Sequence, residues 1–171
     1  MGTAPCCRCM PASNSVELLL LRHGIAEERP GGLDHPDRAL TARGRQRTRA
    51  VIDALVSRGL CVDRLITSPY RRALETAQIA CDAGLSPQLE PHPRLQPGGA
   101  AASLVQALSG RVGLVGHEPD LSDLACSLLG LVPGSLALRK AGVIQLQGSG
   151  GSWQLQALLR PGLLLGSDAP A

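Results

Sequence analysis

The chain has 171 residues, which suits a single domain. Its composition, 44% hydrophobic and 18% charged, is that of a folded globular protein and excludes a disordered chain. The net charge of +3 suits an anionic ligand, whereas the near absence of aromatic residues (Tyr70, Trp153 and no Phe) counts against recognition of single-stranded nucleic acid by base stacking.

Residues 1–15 are predicted to be a disordered N-terminal extension, and residues 16–171 a single domain. The extension is proline-containing and shows no periodicity. The six cysteines lack the regular pairing of a small secreted disulfide framework, so we interpret them as reduced thiols. No apolar run is long enough to span a bilayer, and the N-terminus lacks the apolar region of a signal peptide. These features predict a cytoplasmic protein without a membrane partner.

The predicted elements alternate between strands and helices along the chain. The predicted strands are residues 16–21, 63–67, 111–115, 137–138, 143–147 and 153–159. The predicted helices are residues 41–58, 68–82, 99–108 and 120–130, with Thr41, Ser68 and Asp120 as N-caps. Residues 27–38, rich in Gly, Pro and charge, are predicted to be a loop whose acidic residues Glu27 and Glu28 are solvated. This order predicts a three-layer α/β/α sandwich with a mostly parallel central sheet and an antiparallel edge strand.

Polar residues follow three of the predicted strands, at the point where each strand ends. The segments are Arg22-His23-Gly24, residues 68–72 (SPYRR) and Gly116-His117-Glu118. Because ligands of open α/β sheets bind at the carboxyl ends of the strands, we expect the three segments to converge. Two histidines and two arginines would then meet at one edge of the sheet.

Such a cluster favours a phosphoryl group. Arginine stays charged and presents a planar fork to phosphate oxygens. A neutral imidazole can attack phosphorus, a second imidazole can hold a phosphate oxygen, and nearby cations keep both rings neutral. Gly24 is expected to let the backbone pass close to the phosphate without a Cβ.

The segments LLLLRHGIAEE, LTARG, ITSPYRRALETAQ, LVGHEPDLS and LRKAG together resemble the histidine phosphatase superfamily, also called the phosphoglycerate mutase-like family. They are most similar to its SixA-type phosphohistidine phosphatases, and the resemblance extends from about residue 16 over nearly the whole chain. It implies the phosphoglycerate mutase-like fold. It also implies a metal-independent phosphatase that works through a phosphohistidine intermediate and needs no cofactor.

The resemblance implies catalytic roles for four residues. His23 would be the nucleophile, Arg22 and Arg72 would bind the phosphate, and His117 would be the second histidine of the pocket. Gly24 would shape the surroundings of the His23 ring through its backbone.

Several candidates keep an alternative interpretation. Arg72 rather than Arg71 matches the family pattern, and Arg71 is expected to be solvated. Arg22 and Arg72 could instead form salt bridges, Arg72 with Glu75 on the same helix. Ser68 could lie near the phosphate, but we expect it to cap its helix. Lys140 could contact the substrate from the end of its strand. Glu118 could be an acid, but we expect it to cap the helix that follows.

Many family members carry an acidic proton donor in an insertion after the second helix, and this chain does not. The corresponding stretch, residues 91–99 (PHPRLQPGG), contains no carboxylate. A P–N bond needs less protonation than an alkyl ester, because imidazole is a good leaving group. The hypothesis is therefore a phosphohistidine on a protein, such as a histidine phosphotransfer domain. The alternatives are a small-molecule phosphomonoesterase and a non-catalytic phosphate-recognition module.

Two further partners are considered and not favoured. Arg43, Arg45, Arg47 and Arg49 lie on one predicted helix, where a spacing of two spreads them around its axis. We interpret them as a solvated basic helix and expect no nucleic-acid partner. No HExxH, paired CxxC or carboxylate cluster is present, so no metal site is predicted.

Overall fold

The computed structural model describes residues 15–28, 30–149 and 151–166. Residues 1–14, which include Cys6, Cys7, Cys9 and nearly all of the predicted extension, lie outside the described residues. The strands are β1 Val16–Arg22, β2 Arg64–Thr67, β3 Leu89–Pro91, β4 Gly110–Gly116, β5 Val143–Ser149 and β6 Ser152–Leu159. The helices are α1 Ala42–Val56, α2 Arg71–Asp82, α3 Ala102–Val105, α4 Asp120–Leu129 and α5 Pro161–Leu165, with short 3-10 turns at Pro30–Gly32 and Pro93–Leu95.

The six strands form one mixed sheet in the order β3-β2-β4-β1-β5-β6. Strands β1 to β4 are parallel to one another, whereas β5 runs antiparallel to both β1 and β6. Helices cover both faces of the sheet, which confirms the predicted three-layer architecture. In the part of the chain that the structure describes, no helix is long and apolar enough to cross a lipid bilayer.

The apolar run of β1 is continuous because both of its faces are buried. Leu18 and Leu20 belong to a core cluster that includes residues of α3 and α4. Leu19 and Leu21 belong to a second cluster, on the other face, that includes residues of α1 and α2. The sheet therefore separates two cores that consist mainly of aliphatic side chains.

The centre of the sheet sets the position of the candidate site. The neighbouring strands β1 and β4 lead to helices on opposite faces, since α1 packs in one core and α4 in the other. Such a change of side opens a crevice at the carboxyl ends of the two strands. His23, which follows β1, donates from its backbone N to the carbonyl of Gly116 at the end of β4, at 3.1 Å.

The structure corrects some of the predicted boundaries. Helix α2 begins at Arg71 with Tyr70 as its N-cap residue, so the prediction that Ser68 caps it was wrong. Asp120 is the first residue of α4 rather than its cap, and its carboxylate accepts instead from the backbone N of Gly98. The helix predicted over residues 99–108 is a single turn, and α5 was not predicted.

The predicted strand over residues 137–138 does not exist in the described fold. Strand β5 takes the place beside β1, and residues 137–138 lie in the loop before it. Leu138 is buried there, and its carbonyl accepts a hydrogen bond from Arg22 Nη1 at 2.8 Å. An arginine side chain therefore satisfies this carbonyl in place of a neighbouring strand.

Candidate active site

The guanidinium of Arg72 lies at the centre of the crevice and contacts both predicted histidines. Arg72 is only 2% exposed, and its side chain is one of the largest that the interior buries. Its Nε donates to His23 Nε2 at 3.3 Å, and its Nη2 donates to His117 Nδ1 at 3.1 Å. The centroids of the two imidazole rings are 5.1 Å apart. Segments from β1, α2 and β4 thus meet at one point, as the sequence led us to expect.

The hydrogen bonds of His23 assign its tautomer. Nδ1 lies 2.7 Å from the carbonyl oxygen of Gly24, which can only accept, so Nδ1 carries the proton. Nε2 then carries no proton, and its lone pair accepts the hydrogen bond from Arg72 Nε. Nε2 is therefore the nitrogen available for attack on an electrophile in the crevice.

His117 has the opposite tautomer, and Ser68 is its second partner. Arginine cannot accept, so His117 Nδ1 accepts from Arg72 and Nε2 carries the proton. Nε2 lies 2.8 Å from Ser68 Oγ, which accepts it. Ser68 is fully buried, so its hydroxyl orients a ring of the pocket and does not cap a helix.

Arg22 approaches the crevice from the end of β1. Its Nη1 is held by the Leu138 carbonyl, while its Nε is buried and has no hydrogen-bond partner among the described residues. A buried donor of this kind usually has a partner, because leaving it unsatisfied costs free energy. The Arg22 charge also lowers the pKa values of His23 and His117, which places it within electrostatic range of both rings.

Burial keeps the two histidines neutral. It lowers the pKa of His23 to about 3, and the Gly24 carbonyl opposes the shift while His117, Arg72 and Arg22 add to it. Burial also lowers the pKa of His117 to about 3, with Arg72 acting in the same direction and Asp34 against it. Both rings are therefore uncharged near neutral pH, as nucleophilic attack by His23 requires.

The neutral histidines predict that the fold loses stability in mild acid. In the unfolded chain each ring binds a proton below its ordinary pKa of 6.5, whereas in the folded protein it does so only near 3. Unfolding thus takes up protons between these values, and stability falls as pH falls through that window. We expect a loss on the order of 1–2 kcal/mol per histidine from about pH 7 to about pH 5. Urea unfolding at both pH values measures this loss of stability. In a His23→Gln/His117→Gln variant the free energy of unfolding should depend less on pH. A pH dependence equal to that of the wild type would contradict the prediction.

Sequence reasoning missed Asp34, which lies in the loop between β1 and α1. Its Oδ2 accepts from Arg72 Nη2 at 2.8 Å, and Arg38 holds the same carboxylate through Oδ1 at 2.7 Å. The carbonyl of His35 also accepts from Arg72 Nη1 at 3.2 Å. The sequence drew attention only to Glu27 and Glu28 as acids of this loop, and both are exposed. Glu75, the expected alternative partner of Arg72, pairs instead with Arg45 and Arg71.

Because Asp34 occupies a donor of Arg72, we expect it to compete with anions for that guanidinium. An Asp34→Asn variant should bind inorganic phosphate more tightly, with an inhibition constant about 3- to 10-fold lower, since one ion-pair partner is removed. The control is Asp53→Asn, which removes a carboxylate that pairs with Arg49 on the surface of α1. If phosphate inhibits Asp34→Asn no more strongly than it inhibits the wild type, the Asp34 carboxylate does not compete with phosphate for Arg72.

Gly24 has a packing role that its sequence did not suggest. A Cβ at this position would lie 2.2 Å from Thr48 Oγ1 and 3.3 Å from the Gly44 carbonyl, both on α1. The absence of a side chain therefore lets α1 pack against the segment that carries His23, while the approach of this backbone to a phosphate stays a prediction. Gly44 is constrained in the same way, since its Cβ would lie 2.0 Å from the carbonyl of Ile25.

Two other candidates lie beside the histidines. Burial raises the pKa of Glu118, whose carboxylate accepts from the Ser122 hydroxyl and from no backbone amide of α4, so it does not cap that helix as predicted. Lys140 is exposed and lines a cleft next to Arg22. Among the described residues, no group of three or more His, Cys, Asp or Glu side chains has the arrangement of a metal site.

Comparison with known proteins agrees with this geometry. The model of the histidine phosphatase superfamily (branch 1) matches residues 18–96, which include the segments that carry His23 and Arg72. A relative from Picosynechococcus sp., an uncharacterized protein, is 35% identical over 150 residues, which cover 83% of this chain and 90% of that protein.

Solved structures share the fold at lower identity. The protein histidine phosphatase SixA, complexed with tungstate, is 23% identical with a TM-score of 0.78, over 86% of this chain and 99% of that one. A phosphoserine phosphatase mutant from Entamoeba histolytica, in complex with phosphoserine, is 18% identical with a TM-score of 0.65, over 85% and 98% of the two chains. With its matched family model and its relative of similar length, the chain belongs to the histidine phosphatase superfamily and is a phosphatase.

Proposed function

We propose that the enzyme hydrolyses phosphohistidine on a protein, with His23 as the nucleophile. The observation that carries the proposal is the contact of the Arg72 guanidinium with both His23 Nε2 and His117 Nδ1. A nucleophilic imidazole, a second imidazole and a guanidinium in mutual contact are the groups that one phosphoryl group needs. The buried Nε of Arg22, which has no partner among the described residues, is a further donor.

In the proposed first step, His23 Nε2 attacks the phosphorus of the substrate. A new P–N bond forms on His23 as the P–N bond of the substrate breaks. The substrate ring enters protonated on its unphosphorylated nitrogen, so it keeps that proton and leaves as neutral imidazole. The phosphoryl oxygens accept hydrogen bonds from the N–H groups of Arg72 and Arg22. These charge-assisted hydrogen bonds replace the contact between Arg72 and His23. The Gly24 carbonyl holds the Nδ1 proton and so orients the attacking nitrogen.

His117 responds to the charge of the phosphoryl group. An adjacent dianion favours the protonated form of the ring, which opposes the effect of burial on its pKa. Nδ1 can then donate to a phosphoryl oxygen while Nε2 continues to donate to Ser68. In the second step water attacks phosphorus and the P–Nε2 bond of phospho-His23 breaks. Both protons of the water leave with the product as dihydrogen phosphate, and neutral His23 with its proton on Nδ1 is restored.

The choice of substrate rests on the carboxylate that contacts Arg72, since Glu118, whose pKa burial raises, is bound to the Ser122 hydroxyl instead. Asp34, the acid that contacts Arg72, is held by two arginines, which lowers its pKa against the effect of burial and keeps it ionised. An ionised carboxylate is a poor proton donor, so a substrate with a good leaving group is favoured. Phosphohistidine meets this requirement, and a histidine phosphotransfer domain is one protein that would carry it. The proposal places the enzyme in the cytoplasm, in line with the expectation from its sequence.

A small-molecule phosphomonoesterase is the second candidate, because the similar Entamoeba histolytica structure holds phosphoserine. A non-catalytic phosphate-recognition module is disfavoured by the unprotonated Nε2 of His23, because binding an anion alone would be served better by a ring that donates from that nitrogen.

A competition assay tests the proposal. We expect a phosphohistidine protein to be hydrolysed with a kcat/KM at least about 10²-fold above that of phosphoserine or phosphoglycerate, because the alkyl esters need an acid. Comparable turnover of both classes would favour the small-molecule enzyme. No turnover of either class, with phosphate still bound, would indicate a recognition module. A chelator is expected to leave the rate unchanged.

A further inference from the structure

A basic cleft adjoins the catalytic pocket on the side of Arg22. Its volume is about 700 Å³, within the range of ligand-binding clefts. Six cationic side chains line it: Arg22, Arg43, Arg47, Arg139, Lys140 and Arg160. None of the described residues that line the cleft is acidic. We refer to these residues as the basic cleft.

Four cations of the basic cleft lack the carboxylate partners that several cations elsewhere on the described surface have. Arg45 and Arg49, which alternate with Arg43 and Arg47 along α1, form ion pairs with Glu75 and Asp53. Among the described residues, Arg43, Arg139, Lys140 and Arg160 form no ion pair with a carboxylate. The arginines of α1 thus lie on two surfaces, Arg45 and Arg49 beside carboxylates and the other two in the cleft, which the interpretation as a solvated basic helix did not anticipate.

The loop that carries Arg139 and Lys140 is tied to the catalytic segment. The backbone N of Ala141 donates to the carbonyls of Arg22 at 3.1 Å and His23 at 3.2 Å. Ala141 has a φ of +58°, a conformation that L residues adopt only where the surrounding structure imposes it. Gly142 closes the turn with a bond of 2.7 Å from its N to the carbonyl of Arg139. These bonds fix the backbone of the loop that carries the two cations relative to the segment that carries the nucleophile.

The cleft also presents an apolar surface. Leu163 at its edge is 82% exposed, and Pro161 and Ile25 line it as well. A surface that combines unpaired cations with an exposed leucine is complementary to a segment that combines carboxylates with apolar side chains. A polyphosphate would contact only the cations, whereas an acidic peptide with apolar side chains would contact both the cations and the apolar surface.

We propose that the basic cleft binds an acidic segment of the protein substrate, next to the phosphorylated residue. The inference rests on the proposed function, since it assumes that the substrate is a protein. Arg22 borders both the pocket and the cleft, so residues near the phosphohistidine in space would lie over the cleft. The fixed cations would select the partner by charge and speed its association, in a salt-dependent manner.

The test uses two double variants of the full chain with the same change of net charge. Arg43→Gln/Arg160→Gln removes two exposed cations from the cleft, and Arg49→Gln/Arg58→Gln removes two exposed cations elsewhere. A fluorescent peptide of alternating glutamate and leucine, without phosphate, reports binding by anisotropy. We expect the cleft variant to weaken this binding about tenfold or more and the control less than about twofold. Equal weakening in both variants would overturn the proposal.

Turnover provides the second readout, with phosphohistidine peptides that differ only in acidic or neutral neighbouring residues. The wild type and the control variant should prefer the acidic peptide, and the cleft variant should lose that preference through a higher KM. Hydrolysis of p-nitrophenyl phosphate should be the same in all three proteins. If phosphohistidine peptides are hydrolysed without a preference for acidic neighbours, the proposed role of the cleft is overturned and the proposed function is not. If the acidic peptide binds through the cleft but phosphohistidine is not hydrolysed, the proposed function is overturned and the binding role of the cleft is not.

Competitors identify the class of ligand. If tripolyphosphate or a single-stranded oligonucleotide binds through the cleft residues and the acidic peptide does not, the assignment to a protein segment is overturned. If the acidic peptide binds and added salt weakens its binding, the assignment is supported.

Discussion

Replacing His23 by alanine should lower phosphohistidine turnover by at least about 10³-fold, because the nucleophile of a covalent mechanism has no substitute in the pocket. In the proposed mechanism His117 binds a phosphoryl oxygen through Nδ1 while its Nε2 donates to Ser68, so its imidazole does not take the place of His23. Incubation with phosphohistidine labelled with ³²P, followed by acid-free gel electrophoresis, should show label on the wild type during turnover and none on His23→Ala.

A histidine outside the site provides the control for this experiment. His92 lies in the loop after β3, where its Nδ1 accepts from the backbone N of Arg94 at 3.2 Å. His92→Asn keeps a hydrogen-bond acceptor there and should retain both activity and label. Label that persists in His23→Ala, or that is lost in His92→Asn, would contradict the assignment of the nucleophile.

Replacing Arg72 by lysine should lower kcat/KM by about 10²-fold or more, although the charge is kept. Lysine is a point charge and cannot bridge His23, His117 and Asp34, as the planar guanidinium does. Lysine would also bind the phosphoryl oxygens without the bidentate geometry that stabilises the developing charge. Steady-state kinetics with phosphohistidine and with p-nitrophenyl phosphate measures the effect.

The adjacent Arg71 is a matched control, since it precedes Arg72 in the chain and carries the same side chain. Arg71 is exposed, and its Nε donates to Glu75 at 3.0 Å within the same helix. Arg71→Lys should change kcat/KM by less than about twofold, as expected for an exposed ion pair. A urea midpoint for each variant separates a catalytic defect from loss of the fold. Equal kinetic defects in the two variants would contradict the central position of Arg72.

Local sequence signals predicted the elements that carry the site. The apolar run before His23 and the one before His117 are long enough to require burial on both faces, and both form central parallel strands. Their positions follow from hydrophobic periodicity, which acts within a few residues. Where the local signal was ambiguous, as at Ser68-Pro69, tertiary contacts decided, and a buried hydroxyl joined a histidine 49 residues away.

The residues that the sequence did not reveal act through contacts between distant segments. Asp34 lies 38 residues from Arg72 in a loop whose charged and proline-rich sequence is typical of a solvated surface. Only the path of that loop across the start of α2 brings the carboxylate to the guanidinium. The basic cleft likewise gathers cations from α1, from the loop before β5 and from the residue before α5.

By itself the sequence determined the layered fold, the strand ends that carry His23 and His117, and the choice of Arg72 over its neighbour as the candidate phosphate ligand. The tertiary structure decided which tautomers the histidines adopt, that Asp34 holds the Arg72 guanidinium, that Gly24 makes room for α1, and which arginines remain unpaired beside the pocket. The physical reason is range: hydrophobic pattern and motif spacing act along the chain, whereas hydrogen bonding, burial and charge pairing depend on segments that only packing brings together.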